Sequence, residues 1–345
     1  MKIVRSEDHR AHFPEGELYG GKFVRPFECP ERWDYVVQSL DHAGLTDVVA
    51  PEPFDRAIAL AVHDATYVDF LETAWDEWVA EGFEGEVLPT VFPARRMTAR
   101  RPTHIEGKAG YHALALETSI TAGTWQAATA SAAIAETARG IVSGGARSAF
   151  ALCRPPGHHA AHDMYGGYCF LNNAAIAAEG FRRAGADKVT VLDVDFHHGN
   201  GTQDIFYERG DVQFISLHGQ PEDAFPHFLG YADEKGAAAG EGSTLNYPLP
   251  PGTDFDTWGA ALKDALGEIA TFAPDALVVS LGVDTFEKDP ISFFKLVSDD
   301  FRTYGGWIAD AGLPTLFVME GGYAVEEIGI NTVNVLTGFL QNGGG

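Results

Sequence analysis

The sequence predicts an α/β fold built on a mainly parallel sheet, and three observations carry that prediction. Short continuous apolar runs recur along the chain, such as VTVLDV at 189–194 and ALVVSL at 276–281. Runs of this kind suit strands covered on both faces. Stretches of helical character lie between most of them, and alternating strand and helix builds a parallel sheet. Four of the runs end in titratable or metal-binding residues, which is where open α/β sheets place their sites.

The elements follow in order. Residues 1–4 read as a strand. Residues 67–79 set Tyr67, Leu71, Trp75 and Trp78 on one helical face, a stripe that reads as core packing. Residues 124–142 read as an Ala-rich helix. A strand at 148–152 (SAFAL), a helix at 172–184, a strand at 189–194 and a strand at 212–217 (VQFISL) come next. A helix at 255–272 and strands at 276–281 and 314–319 (PTLFVM) complete the pattern. No internal repeat and no linker rich in Pro, Gly or Ser divides the chain, so residues 1–345 read as one domain. Two segments fit no regular element. One is 82–105, with Pro89, Pro93 and Pro102 and with Arg95, Arg96, Arg100 and Arg101; the other is 219–242. Loops of such length are often lids, binding loops or oligomer contacts.

Composition narrows the function. Of 345 residues, 45% are apolar and 21% charged, enough for a large core and too apolar for intrinsic disorder. Asp and Glu number 49 against 24 Lys and Arg, a net charge of −25. So acidic a surface repels phosphate backbones and attracts cations, which argues against nucleic-acid partners. The N-terminal MKIVRSEDHR has no apolar core of a secretory signal, and no run of 18 apolar residues suggests a membrane span. Cys29, Cys153 and Cys169 are too few and too scattered for a disulfide framework. A reducing cytoplasm is the expected location.

The chemistry collects after the strands. SAFAL is followed by Cys-Arg-Pro-Pro-Gly-His158-His159, VTVL by Asp193-Val-Asp195-Phe-His197-His198-Gly-Asn200-Gly, ALVVSLGV by Asp284, and PTLFVM by Glu320-Gly-Gly-Tyr323. Asp195 and His197 are two apart and point to one side of an extended backbone, so both can reach one metal ion. Asp284 can supply a third ligand, and three protein ligands leave a coordination position open, as catalytic sites do. Mixed N/O ligation suits Zn²⁺ but also Fe²⁺ or Mn²⁺. The adjacent His158 and His159 cannot easily chelate one ion together and read instead as acid–base groups. Asp193 and Asn200 are candidates to fix their tautomers. Tyr323, after Gly321-Gly322 in an expected mobile turn, can donate a hydrogen bond to a developing oxyanion. Neither a Walker phosphate loop nor a Gly-x-Ser-x-Gly elbow is present.

These motifs, together with Gly166-Gly-Tyr168-Cys-Phe-Leu-Asn-Asn173 and in this order, resemble the histone deacetylase and acetylpolyamine amidohydrolase superfamily. Glu17-Leu-Tyr-Gly-Gly21, the Pro/Arg-rich segment and His104-Ile-Glu106-Gly look most like its bacterial acetylpolyamine amidohydrolases. The resemblance implies a three-layer arginase–deacetylase-like fold with an eight-stranded sheet. It implies Zn²⁺ held by Asp195, His197 and Asp284, with His159 as general base and then acid. His158 would assist electrostatically, and Tyr323 would polarise the amide carbonyl. It further implies a narrow channel lined by Gly167, Tyr168, Phe225 and Ile291, with Glu17 and Glu106 at its entrance for the distal ammonium of a polyamine. Structural K⁺ would sit at Asp193, Ser216 and Leu217, and a second at Phe206, Arg209 and Val212, with Arg209 offering only its backbone carbonyl. Segment 82–105 would mediate a homodimer and narrow the entrance.

The activity implied is removal of acetyl from N-acetylated polyamines and diamines. The nearest alternative is deacetylation of acetyl-lysine in proteins, which needs a more open entrance. A two-metal ureohydrolase would need bridging carboxylates that the tandem histidines and Tyr323 do not supply. A catalytically silent polyamine sensor would need the pocket alone.

Overall fold

In the computed structural model, residues 1–342 are described, so the last three residues of the domain expected over 1–345 lie outside the described residues. Among the described residues ten strands form: β1 (Lys2–Val4), β2 (Glu17–Tyr19), β3 (Lys22–Val24), β4 (Val48–Val49) and β5 (Ser148–Ala151). They continue with β6 (Val189–Asp193), β7 (Val212–Gly219), β8 (Thr244–Leu249), β9 (Ala276–Leu281) and β10 (Thr315–Met319). Eight of them make one sheet in the order β4-β1-β5-β10-β9-β6-β7-β8. Every pairing in that sheet is parallel. The apolar runs become its centre: every residue of β5, β6, β9 and β10 is buried.

Helices cover both faces, each over its own core. One core joins the sheet to the helices Ala65–Ala80, Thr124–Ser143 and Asn173–Arg183. The other joins it to Pro30–His42, Phe255–Phe272, Ser298–Asp310 and Ile328–Asn342. Tyr67, Leu71 and Trp78 of the aromatic stripe are buried as expected, with Trp75 packed against the same core. This is the predicted three-layer α/β architecture, and no described helix is long and apolar enough to cross a membrane.

The topology brings the chemistry together. Strands β5, β10, β9 and β6 are neighbours, and parallel pairing sends all four carboxyl ends to one edge. The four segments read as functional follow those strands, so distant stretches of sequence meet at one place. Apart from the main sheet, β2 and β3 form an antiparallel hairpin across Gly20-Gly21, both with positive φ. That turn chemistry matches the twist of paired strands and suits glycine. The hairpin leaves Leu18 and Tyr19 exposed beside the site.

Candidate active site

Asp195, His197 and Asp284 converge. Their ligand atoms lie within 4.8 Å of one another, and all three residues are buried. His197 Nδ1 is 3.0 Å from Asp284 Oδ2 and 3.3 Å from Asp195 Oδ1. Backbone donors aim the carboxylates: Gly321 N–H at Asp195 Oδ2, 2.8 Å, and Phe196 N–H at Asp284 Oδ1, 2.7 Å. Burial and the charge of Asp195 push the Asp284 carboxyl up to about 8. A ring nitrogen between two buried carboxylates calls for positive charge at that point, and a divalent cation meets the need with three N/O donors. Glycines make the room. A Cβ on Gly282 would lie 1.9 Å from Asp195 Oδ2, and one on Gly321 would lie 2.5 Å from that atom and 2.6 Å from Asp284 Oδ2.

The tandem histidines sit beside this centre with rings 4.0 Å apart, and they have different partners. His158 Nδ1 meets Asp193 Oδ2 at 2.9 Å, while His159 Nδ1 meets Asn200 Oδ1 at 2.7 Å. Burial opposes charge on His158, but the carboxylates of Asp195 and Asp193 outweigh it and push the imidazole up to about 10. His159 has no such carboxylate on its ring. Burial, His158 and His197 hold it well below the ordinary histidine range. One imidazole therefore favours the cation and the other the neutral base. Glu320, also buried, accepts the backbone N–H groups of Gly157 at 2.6 Å and His158 at 3.1 Å, which fixes the loop carrying both rings.

Tyr323 faces the same cleft, with burial holding its phenol protonated well above the usual range. The turn that carries it is not the mobile one expected from Gly321-Gly322. Tyr323 is 7% exposed, and its backbone N–H donates to Asp289 Oδ2 at 2.7 Å. Arg32 donates to the carbonyls of Gly322 at 2.7 Å and Glu320 at 2.6 Å, with its guanidinium 4.9 Å from the centre of the Tyr323 ring. Glu28 joins Arg32 to Arg154, so one buried ion cluster clamps the Tyr323 turn and the loop before His158. Glycine suits this turn through its φ of +132° at Gly322, but the surrounding bonds remove its freedom.

The cleft has a volume of about 310 Å³. Gly167, Tyr168, Phe225 and Ile291, the channel residues that the resemblance implied, are among the residues lining it. Phe225 stands edge-on to His159 at 5.0 Å, and Tyr168 lies 5.7 Å from Tyr323, so aromatic walls enclose the approach to the three ligands. Glu17 also lines it; Oε1 accepts the Tyr168 hydroxyl at 3.0 Å, and burial pushes the carboxyl up to about 7. Glu106 stands apart: it is in the first turn of helix Ile105–Tyr111, 3.8 Å from His104 Nδ1, and is not among the residues lining the cleft of this chain. Glu117 and Asp223 do line it, and no motif marked them. Glu117 accepts the Gly167 N–H at 2.9 Å and so supports the wall. Asp193 and Ser216 are register partners on β6 and β7, with Leu217 next to Ser216. Phe206 ends helix Asn200–Phe206 and Val212 begins β7. Between them the Arg209 side chain is taken up by Asp211 and Glu179.

A histone deacetylase domain is matched over residues 26–339. The chain is 57% identical over 338 residues to an acetylpolyamine amidohydrolase of Mycoplana ramosa, covering 98% of this chain and 99% of that one. It is 57% identical over 343 residues to acetylpolyamine amidohydrolase 1 of Pseudomonas aeruginosa, covering 98% and 99%. The crystal structure of an acetylpolyamine aminohydrolase from Burkholderia pseudomallei superposes with a TM-score of 0.94 at 39% identity, covering 99% of each chain. Fold, ligand geometry and these likenesses agree: the chain belongs to the histone deacetylase family.

Proposed function

We propose that this protein is a metal-dependent amidohydrolase, one deacetylase domain, that removes acetyl from N-acetylated diamines and polyamines of the acetylputrescine and acetylcadaverine type. One observation carries the reading: His197, one of three converging buried ligands, lines an aromatic-walled cleft that Glu17, Glu117 and Asp223 also line. A thin alkyl chain fits such walls, and a distal ammonium finds opposite charge beside them.

Asp195, His197 and Asp284 would hold the ion, Zn²⁺ in this reading. When bound, it supplies a Lewis acid and brings the pKa of water toward 7. The Tyr323 hydroxyl donates to the amide carbonyl oxygen and stabilises the oxyanion as it forms. His159 takes the proton of the attacking water at Nε2, because Nδ1–H is committed to Asn200. Asn200 is held the right way round for this, since its Nδ2 donates to the His159 carbonyl at 3.4 Å. The same His159 proton then passes to the leaving amine, and acetate and the free amine are the products. His158, cationic beside Asp193, stabilises the negative charge nearby.

The same reading places structural K⁺ at Asp193, Ser216 and Leu217 and a second at Phe206, Arg209 and Val212. It also makes the chain a homodimer through 82–105, where Val91, Phe92 and Met97 are exposed apolar side chains among arginines. Three unpaired cysteines support a reducing cytoplasm.

The test is a panel of acetylputrescine, acetylcadaverine, acetylated longer polyamines and an acetyl-lysine peptide, assayed with the zinc-loaded protein. Faster turnover of the diamines supports the proposal. Faster turnover of the peptide favours the protein deacetylase, and tight binding without product favours the sensor.

A further inference from the structure

Two groups facing the cleft come from different segments: the Tyr323 phenol from the turn after β10, and the Ile291 side chain from the segment after β9. One carboxylate reaches the backbone of both. Asp289 Oδ2 accepts the N–H of Tyr323 at 2.7 Å and of Ala324 at 3.2 Å, and Oδ1 accepts the N–H of Ile291 at 3.1 Å. Asp289 is 6% exposed and is not among the cleft-lining residues, so it does not meet the substrate. The bond to Ile291 spans two residues and is ordinary turn chemistry for an Asp. The bonds to Tyr323 and Ala324 span 34 and 35 residues and have no local origin. Burial pushes the carboxyl up to about 6, and the three amide donors pull against that. Two glycines precede Tyr323, so the turn's own sequence does not hold the tyrosine; Arg32 ties down its carbonyls, and Asp289 takes its N–H groups. Lys288, the neighbour of Asp289, pairs with Glu327 at 3.5 Å and joins the same two segments a second time.

We propose that Asp289 is the positioning residue for the Tyr323 phenol, holding its backbone at a fixed distance from the channel wall at Ile291. It acts through Tyr323 and never on the substrate. The assignment rests on the role proposed for the Tyr323 hydroxyl in amide hydrolysis.

The experiment is a double-mutant cycle on the full zinc-loaded chain, with steady-state hydrolysis of acetylcadaverine as the readout. Asp289→Asn and Asp289→Ser are each made alone and with Tyr323→Phe. The Ser variant is needed because the amide NH₂ of Asn would face N–H donors. With Tyr323 present, a folded Asp289 variant should lose about 10- to 100-fold in kcat while KM changes by under about threefold, as expected when a reacting group is misplaced and substrate affinity is kept. With Tyr323→Phe, the same substitution should cost under about threefold, because residues acting as one unit are not additive. Equal losses in both backgrounds, or an effect on KM alone, overturn the assignment. So does failure of both variants to fold, which would make Asp289 a determinant of the fold rather than of Tyr323. A wild-type chain that does not hydrolyse acetylcadaverine overturns the acetyl-diamine reading on which the assignment rests, a result distinct from equal losses in an active enzyme.

Discussion

The Nδ1 of His159 lies 2.7 Å from Oδ1 of Asn200, an amide where the neighbouring His158 has the carboxylate of Asp193. A neutral acceptor fixes the tautomer and stabilises the imidazolium less than a carboxylate would, so burial, His158 and His197 keep His159 a free base. Asn200→Asp is expected to raise the pKa of His159, since a carboxylate favours the charged ring. The base would then remain protonated to higher pH, and the acid limb of the kcat/KM profile should move upward. His159→Ala should lose about 10²- to 10⁴-fold in turnover of acetylputrescine, the usual contribution of a positioned acid–base group. An unmoved acid limb together with an unimpaired His159→Ala variant would remove His159 from the mechanism.

Tyr323→Phe should lower kcat about 10²- to 10³-fold, the scale seen when one oxyanion donor is lost. Tyr323 lines the cleft and Phe keeps its ring, so the melting temperature should shift by less than about 2 °C. Loss of folding stability comparable to the loss of activity would make the phenol structural.

Glu17 predicts a pH dependence of substrate binding. Burial raises its carboxyl to about 7, so it is neutral below that pH and anionic above it. An anion attracts the distal ammonium, so KM for acetylputrescine should fall as pH rises through 7. An acetylated alkylamine without the second ammonium should show no such fall, and Glu17→Gln should abolish it. Equal profiles for both substrates would contradict the assignment.

Gly321→Ala tests the ligand cradle without replacing a ligand. The new Cβ would press within 2.5 Å of Asp195 Oδ2 and 2.6 Å of Asp284 Oδ2, both on rigid buried carboxylates. Bound metal, measured by elemental analysis after dialysis, should fall together with activity. Full metal content in this variant would show that the ion lies elsewhere.

The strands that end in the site were legible because each is an apolar run buried on both faces, a signal of composition rather than of partners. The edge strand β8, Thr244–Leu249, was not: its burial alternates at first, it contains Pro248, and it follows a long irregular segment. The hairpin β2–β3 was read only as a family motif, since three-residue strands leave no periodicity. At the site, residues tied to a strand end were readable, because sheet topology says where they go. Glu117, Asp223 and Asp289 lie on connecting segments, where only tertiary contacts bring a carboxylate to the cleft or behind it. The Gly-Gly before Tyr323 suggested mobility, yet Arg32 and Asp289, close to neither glycine in sequence, hold that turn.

The central claim is that Asp195, His197 and Asp284 hold one ion on which amide hydrolysis depends. Acetylputrescine turnover should be followed while metal is stripped with a chelator and returned in measured amounts. The account predicts loss of activity on stripping and full recovery at one Zn²⁺ per chain. Activity that survives complete removal of metal, or recovery only at two Mn²⁺ per chain, would contradict it.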